Sequence, residues 1–292
     1  MSNKKPAIIV ISSHVARGTV GNRAAGFALE VLGFPVWIVP TITLPWHPGH
    51  FATAGAGHRI VPRIEDFTST LEDLAGSPWI GEVGAVLSGY LGEAAQAQPV
   101  ADLVQAVKAH NPNAVYALDP VTGDNDRLYV PQEQADAIRD ILLPLSDITT
   151  PNPFELSLLA QTNEMDTNEA LVAAAKSLPS KTVLVTSSHA MMKGNIANLL
   201  VEGSSVNLAE HRLVDGPLNG LGDLTAALFL GNILQLNDAT LALQKTSASV
   251  YEAMSVAARL GSDELTLESS LGSLLKPKTV VESRKLLVRR TK

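Results

Sequence analysis

The sequence predicts an α/β protein, a three-layer α/β/α sandwich with a central, mainly parallel sheet. Three observations carry the layered architecture. Short apolar runs rich in β-branched residues recur, and most lack polar alternation, as suits strands covered on both faces. Helix-patterned segments lie between them, and strand–helix alternation favours parallel pairing through helical crossovers. No Pro/Gly/Ser-rich linker, composition shift or internal repeat divides the chain. A single domain over residues 1–275 with a basic C-terminal tail at 276–292 is the economical organisation.

In chain order, AIIVIS (7–12) reads as the first strand and NRAAGFALEVLG (22–33) as the helix after it, stopping at a glycine. PVWIVP (35–40) is a second strand. GAVLSGY (84–90) and AVYALD (114–119) are strands flanking the helix PVADLVQAVKAHN (99–111). PQEQADAIRDILLPL (131–145), FELSLLAQ (154–161) and NEALVAAAKSL (168–178) are helical patterns, and KTVLVTS (181–187) and NLLVE (198–202) are strands. Two helices follow, LTAALFLGNILQL (224–236) and DATLALQKTSASVYEAMSVAARLG (238–261). From about Ser262 the periodicity fades. The closing KPKTVVESRKLLVRRTK reads as a solvated or loosely docked end, as charge runs usually are.

The bulk numbers exclude several functions. A chain of 292 residues with 46% hydrophobic content can bury a large core. Its formal net charge of −7 disfavours a general nucleic-acid or membrane surface. With no cysteine there is no disulfide, thiolate nucleophile or sulfur metal site. The apolar run in MSNKKPAIIVIS is too short for a signal peptide, and no stretch approaches the ~20 apolar residues of a membrane span. The expectation is a soluble, cytoplasmic protein.

Open α/β sheets bind ligands beyond the carboxyl ends of their strands, so the strand exits matter. They read SSHVARGTVGN, TITLPWHPGHF, Ser88-Gly89-Tyr90-Leu91-Gly92, Asp119-Pro120-Val121-Thr122-Gly123-Asp124, Pro151-Asn152-Pro153-Phe154-Glu155 and Thr186-Ser187-Ser188-His189. Each carries hydroxyls, acids or glycines, and a parallel sheet brings them to one edge. Each also has a structural reading. Asn152-Pro153-Phe154-Glu155 fits a helix capping box. Asp119-Pro120 suits a strand-ending turn. Gly18-x-x-Gly21 is a weak phosphate-loop hint, because paired glycines before a helix often serve only the turn. His47 and His50, with no third ligand nearby, read as loop histidines rather than a metal site. Ser13-His14 and Ser188-His189 do not make a hydrolase, since adjacent strand residues point to opposite faces.

Gly220-Leu221-Gly222-Asp223 survives best. It stands at the mouth of a long apolar helix with no basic residue in the motif. A helix start offers unpaired N–H groups that favour an anion. Asp223 would repel a second negative group unless a cation shares the site or the acid does chemistry. Two glycines exceed what a cap needs and suit a concave run of N–H groups around an oxyanion or phosphate. Asp223 at its rim then serves as base for a hydroxyl attacking that phosphate.

The GxGD before a terminal helix, with strands emptying into D-P-V and P-N-x-x-E, resembles the ribokinase-like superfamily. Ser13-His14-Val15, Gly21-Asn22-Arg23-Ala24-Ala25, Leu32-Gly33, Ser88-Gly89-Tyr90, Asp119-Pro120-Val121 and Thr150-Pro151-Asn152 resemble the pyridoxal (vitamin B6) kinases. The likeness covers roughly residues 7–260. It implies transfer of the γ-phosphoryl of ATP to the 5′-hydroxyl of pyridoxal, pyridoxine or pyridoxamine. Asp223 would be the general base, and Gly220 and Gly222 the anion hole. Ser13 would hydrogen-bond the pyridine edge and Tyr90 would pack near it. Asp119, Asp124, Asn152 and Glu155 would surround the phosphates and Mg²⁺, the last two through water, with Asp119, Asn152 and Glu155 as the metal set. Thr150, Thr186 and Ser187 would contact phosphates or nucleotide, with Leu221 beside them. A monovalent cation such as K⁺ and a homodimer are further implications.

The chain departs from the family pattern in places. Leu44-Pro45-Trp46-His47-Pro48 stands where F-S-N-H-T is typical, so Pro48 replaces the substrate-side Thr and leaves contact there to backbone or His47. Leu221 stands where a Thr is common, and Gly216-Pro217-Leu218-Asn219 differs from the usual apolar lead-in. The alternatives are a hydroxymethylpyrimidine or other small-alcohol kinase of the same superfamily, a non-catalytic pyridoxal phosphate-binding protein, and a regulator using only the ATP half.

Overall fold

The computed structural model describes residues 5–55, 57–124, 127–214, 216 and 219–287; Pro217 and Leu218 of the lead-in and residues 288–292 of the tail lie outside them. In chain order the elements are β1 (Ala7–Arg17), α1 (Asn22–Val31), β2 (Val36–Trp46), α2 (Phe51–Ala54), α3 (Ile64–Ala75), β3 (Val83–Ser88), α4 (Ala97–His110) and β4 (Val115–Leu118). The hairpin β5 (Gly123–Asp124) and β6 (Arg127–Leu128) precedes α5 (Gln132–Ala137), which continues to Leu145 with changed helical pitch. Then come β7 (Ile148–Thr149), α6 (Pro153–Ala160), α7 (Asn168–Ser177), β8 (Thr182–Ser188), β9 (Asn195–Glu202), β10 (Ser205–Arg212), α8 (Leu221–Leu236), α9 (Ala239–Arg259), α10 (Leu271–Leu275) and β11 (Ser283–Lys285).

The sheet has nine strands in the order β11-β10-β9-β8-β7-β4-β3-β1-β2. From β2 to β8 every pairing is parallel, and β9, β10 and β11 extend it antiparallel. The uninterrupted apolar strands have the expected cause. Ile9 and Ile11 of β1 enter a core with Phe67, Leu103, Leu156 and Leu171, while Ile8 and Val10 enter a second core with Leu29, Leu228, Phe229 and Leu243. Helices α3, α4, α6 and α7 therefore cover one face, and α1, α8 and α9 the other.

The expected strands and helices are present, and the differences lie at ends and edges. β1 and β2 run well past residues 12 and 40, with a register shift between Ser12 and His14, and stay paired as far as Arg17 and Trp46. Beyond the sheet they carry a small cluster of Val15, Val20, Ile42 and Leu44 against which Tyr90 packs. Pro40 and Pro45 interrupt the apolar pattern of β2 but sit on an edge strand, where a missing N–H is tolerated. The sequence reading did not anticipate α3, although Ile64, Phe67, Leu71 and Leu74 repeat at helical spacing and pack on the first core. It also did not anticipate β10, or β11 within the expected tail. There Glu252 accepts the backbone N–H groups of Lys278 and Thr279, Val281 is buried, and Ser283–Lys285 pair with β10.

Candidate active site

The parallel strands empty at one edge, and short backbone bonds tie their exits together. The N–H groups of Gly89, Asp119 and Thr150 donate to Ile11 O, Ser88 O and Leu118 O at 2.9, 2.8 and 3.1 Å, and that of Thr186 to Pro151 O at 2.9 Å. Ser13, Tyr90, Asp119, Thr150 and Thr186 thus follow one another along the sheet edge. Helix α8 arrives at the same place. Asp119 and Asp223 line one small cleft with Ser12 and Gly89, floored by Val10, Ala25, Leu87 and Ala226.

Gly220 is the N-cap of α8 with φ +83°, and a Cβ there would stand 2.0 Å from the carbonyl oxygen of Thr19. Only glycine fits that turn. Gly222, already helical, is exposed, and the nearest atom to a Cβ on it would be Asp119 Oδ2 at 4.0 Å. Its surface is open towards the acids, which suits a ligand approaching the helix start. Leu221 is partly buried against the second core, so its side chain faces inward and its backbone is what the turn presents.

Asp223, in the first turn of α8, is half-buried. Burial pushes its carboxyl up to about 6, against hydrogen bonds from the Gly21 N–H and its own N–H. Asp119 is buried at the end of β4, and its Oδ1 accepts the Thr150 hydroxyl at 3.0 Å. Burial and then the charge of Asp223 push it up to about 8, with the Thr150 bond pulling the other way. Its Oδ2 is buried without a hydrogen-bond partner among the described residues. A buried carboxylate oxygen left unpaired costs free energy unless something cationic reaches it.

Asn152 and Glu155 form the capping box expected from sequence. Asn152 Oδ1 accepts Glu155 N–H at 2.9 Å and Glu155 Oε2 accepts Asn152 N–H at 3.0 Å. Glu155 Oε1 also takes the Thr122 N–H at 3.1 Å, and Asn152 Nδ2 donates to Gly123 O at 2.8 Å. Burial and Asp119 push the Glu155 carboxyl well up, against the backbone amides of Asn152, Thr122 and Gly123. These side chains brace the turn after β4. Asp124 is exposed on the β5–β6 hairpin, and Ser187 is exposed with φ +51° at the end of β8. Neither lines the cleft that Asp119 and Asp223 share.

On the other flank, Ser13 backs onto Gly21, where a Cβ would lie 2.2 Å from Ser13 O and 2.4 Å from Ser13 Oγ. Tyr90 is held by its N–H to Ser12 Oγ at 3.2 Å and by Thr41 Oγ1 donating to its carbonyl at 2.7 Å, while its hydroxyl accepts from Arg59 at 3.0 Å. His47 and Pro48 open a short 3₁₀ turn in which His47 Nδ1 accepts the Gly49 N–H at 3.0 Å. Burial holds the His47 pKa below its ordinary value, with Glu264 opposing and His50 adding to the shift. This turn reaches the anion loop: a Cβ on Gly49 would come within 3.1 Å of Asn219 Nδ2.

Sequence reasoning passed over several residues here. The weak phosphate-loop hint at Gly18–Gly21 misses that the Gly21 N–H serves Asp223. Ser12, read only as one of the hydroxyls at the first strand exit, lines the cleft, while Arg59 on Tyr90 and Glu264 beside His50 carried no signal, because their partners are distant in sequence. Tyr129, 56% exposed, stands where Asp124, Glu155 and Asp119 all push its hydroxyl pKa up after burial does.

Comparison with known proteins decides the family. A pyridoxal kinase PdxY of Rubrobacter xylanophilus is 36% identical over 276 residues, covering 92% of this chain and 94% of that relative. The chain belongs to the pyridoxal kinase family. A second pyridoxal kinase PdxY, from Corynebacterium diphtheriae, is 33% identical over 94% of this chain and 98% of its own. Residues 81–268 match the family model described as phosphomethylpyrimidine kinase. The Leishmania donovani pyridoxal kinase in complex with ADP and pyridoxamine superposes with a TM-score of 0.86 at 28% identity, covering 97% of this chain and 100% of that one. A putative phosphomethylpyrimidine kinase from Bacteroides thetaiotaomicron shares the fold, with a TM-score of 0.84 at 20% identity over 98% of this chain and 99% of its own. The Leishmania donovani pyridoxal kinase thus shares the fold of this chain over nearly its whole length, and no described helix is long and apolar enough to cross a membrane.

Proposed function

We propose that this kinase transfers the γ-phosphoryl group of ATP to the 5′-hydroxyl of pyridoxal, and of pyridoxine and pyridoxamine, giving the 5′-phosphate and ADP. The carrying observation is the placing of Asp223 between two flanks. Ser13, Tyr90 and His47 stand on one side, and Asp119, Thr150 and Thr186 on the other. The Gly220–Gly222 turn opens the start of α8 beside them.

Phosphoryl transfer is mostly positioning and charge stabilisation. Asp223, with a pKa of about 6, is largely ionised at neutral pH and close enough to it to accept a proton as the alcohol oxygen bonds to phosphorus. The N–H groups at the start of α8 oppose the charge on the transferring phosphoryl oxygens. Tyr90 and Ser13 hold the pyridine ring so that its hydroxymethyl group meets Asp223, and Thr150 orients Asp119 through Oδ1.

Mg²⁺ fits the phosphate side. Asp119 Oδ2 is an orphaned acceptor that would hold a hard cation directly, and Asn152 and Glu155, occupied by their capping box, would reach it through water. Among the described residues no three His, Asp or Glu side chains are grouped to hold a metal by themselves, so phosphate oxygens and water would complete the shell. Bound there, the cation would neutralise charge on the β- and γ-phosphates. A K⁺ requirement, a homodimer and a cytoplasmic location belong to the same reading, on the resemblance to the family.

The description of the matching family model favours a second reading, a hydroxymethylpyrimidine as the phosphoryl acceptor. Pro48, in place of a hydroxyl-bearing residue, bears on the same choice. Asp223 and Asp119 in one cleft, with the Thr150 hydroxyl on Asp119, support an enzyme over a non-catalytic binding protein. ADP release with Mg²⁺ across pyridoxal, pyridoxine, pyridoxamine and hydroxymethylpyrimidine tests the reading. Turnover led by a B6 vitamer supports it, turnover led by the pyrimidine transfers the chain to the second reading, and turnover of none refutes both.

A further inference from the structure

Glu264 lies in the aperiodic segment after α9, outside the residues that phosphoryl transfer uses. Its carboxylate is buried, and three separate loops around the substrate flank meet at this residue. From the loop after β1, Thr19 donates its N–H to Glu264 Oε2 at 3.2 Å and its hydroxyl at 3.4 Å, and Arg17 stands 3.8 Å from Oε1. From the loop after β2, His50 Nε2 meets Glu264 Oε1 at 2.5 Å. From the lead-in to α8, Asn219 forms a parallel backbone bridge with Glu264 itself. Gly18, at φ +113°, brings backbone so near that a Cβ would lie 2.8 Å from Oε1. Asp263 adds an exposed contact, 3.2 Å from Arg17 and 3.6 Å from His50.

We propose that Glu264 is a positioning residue for the alcohol substrate: its carboxylate clamps the β1 and β2 loops, and its backbone the α8 lead-in, in the arrangement that sets Ser13, His47 and Tyr90 against Asp223. The geometry gives it this reach. Thr19, which its carboxylate holds, presents the carbonyl against which Gly220 turns. His50, which the same carboxylate holds, lies three residues along from His47 in the turn packed near Asn219. Beside the small apolar cluster of Val15, Val20, Ile42 and Leu44, a buried charge with several donors fixes the relative places of these loops. The hydrogen bonds and ion pairs of its carboxylate go to Thr19, His50 and Arg17, on the alcohol flank.

The inference rests on the kinase reading, and the test separates the two. Steady-state kinetics with the vitamer and ATP varied independently would compare wild type with Glu264→Ala, Glu264→Gln and His50→Gln. Glu264→Ala should raise the vitamer KM about 10-fold while the ATP KM stays within about two-fold, since small misplacements of a substrate flank are costly. Glu264→Gln keeps an acceptor for Thr19 and should fall between, and adding His50→Gln to Glu264→Ala should change little more. Hydrogen exchange at residues 17–21 and 48–54 should quicken in Glu264→Ala. A unit that merely stabilised the fold would lower Tm and active fraction with both KM values unchanged, and that result overturns the proposal. So does an equal rise in both KM values. If Glu264→Ala does not fold, Glu264→Gln and His50→Gln carry the same readouts. If the wild type phosphorylates no vitamer, the kinase reading fails, and hydrogen exchange alone decides the clamp: unchanged exchange refutes it.

Discussion

Asp223 raises the carboxyl of Asp119. The two acids reach one cleft from opposite layers, one at the end of a central strand and the other in the first turn of a helix, and burial leaves little solvent between them. Two like charges in a desolvated cleft hold at least one proton unless a cation joins them.

Stability should therefore depend on pH and on Mg²⁺. A carboxyl whose folded pKa is raised contributes stability that is fully present below its ordinary value, about 4, and is lost as pH rises toward the folded value. For Asp223 that loss runs up to about 6 and for Asp119 up to about 8. In metal-free buffer Tm should fall between pH 5 and 8, and Asp119→Asn should flatten the fall. Added Mg²⁺ should raise the wild-type Tm at pH 8 and leave Asp119→Asn nearly unmoved. Differential scanning calorimetry at several pH values checks both.

Asp223→Asn removes the proton acceptor without changing its shape. Its kcat should drop by about 10²–10⁴, the range for a general base, with the ATP Kd from titration calorimetry little altered. A drop under ten-fold would place the base elsewhere.

The two glycines of the anion loop should fail differently. Gly220→Ala meets the Thr19 carbonyl at 2.0 Å in a left-handed conformation, so it should lower Tm along with kcat. Gly222→Ala meets nothing closer than 4.0 Å, so Tm should hold while the added methyl obstructs the approach to the helix start. Melting curves beside ATP KM and kcat for both variants decide it.

Asn152→Ala should cost about 1 kcal/mol of stability by losing the cap, and it also frees the Gly123 carbonyl. Asn152→Ser keeps a capping oxygen but not the tether to Gly123. Its urea midpoint should return most of the way to wild type, while its ATP KM should stay raised with that of Asn152→Ala.

Much of this was readable from local pattern. The runs around Ile8–Ile11 and Val183–Val185 are apolar at every position because alternate side chains enter different cores, which a strand covered by helices requires. The Asn152–Glu155 capping box announces itself because its partners are three residues apart, and Gly220-x-Gly222-Asp223 because two glycines and an acid gather at one helix start. Where the pattern was local but unremarked, as in α3, nothing physical hid it. β7 is different: two residues of strand have too little length for a periodicity, and Ile148–Thr149 are strand only because β4 and β8 flank them.

By itself, then, the sequence determined the layered α/β architecture, the exits that face the ligand edge, and the acid and glycines at the start of α8. These follow from side-chain period, turn chemistry and helix-end polarity, which act over a few residues. Tertiary structure alone decided that the Gly21 N–H serves Asp223, that Asp119 keeps an unpaired oxygen, and that Glu264 gathers Thr19, His50 and the backbone of Asn219. Those relationships join segments far apart in the chain, and their energies come from desolvation and donor geometry, which exist only once the chain has folded.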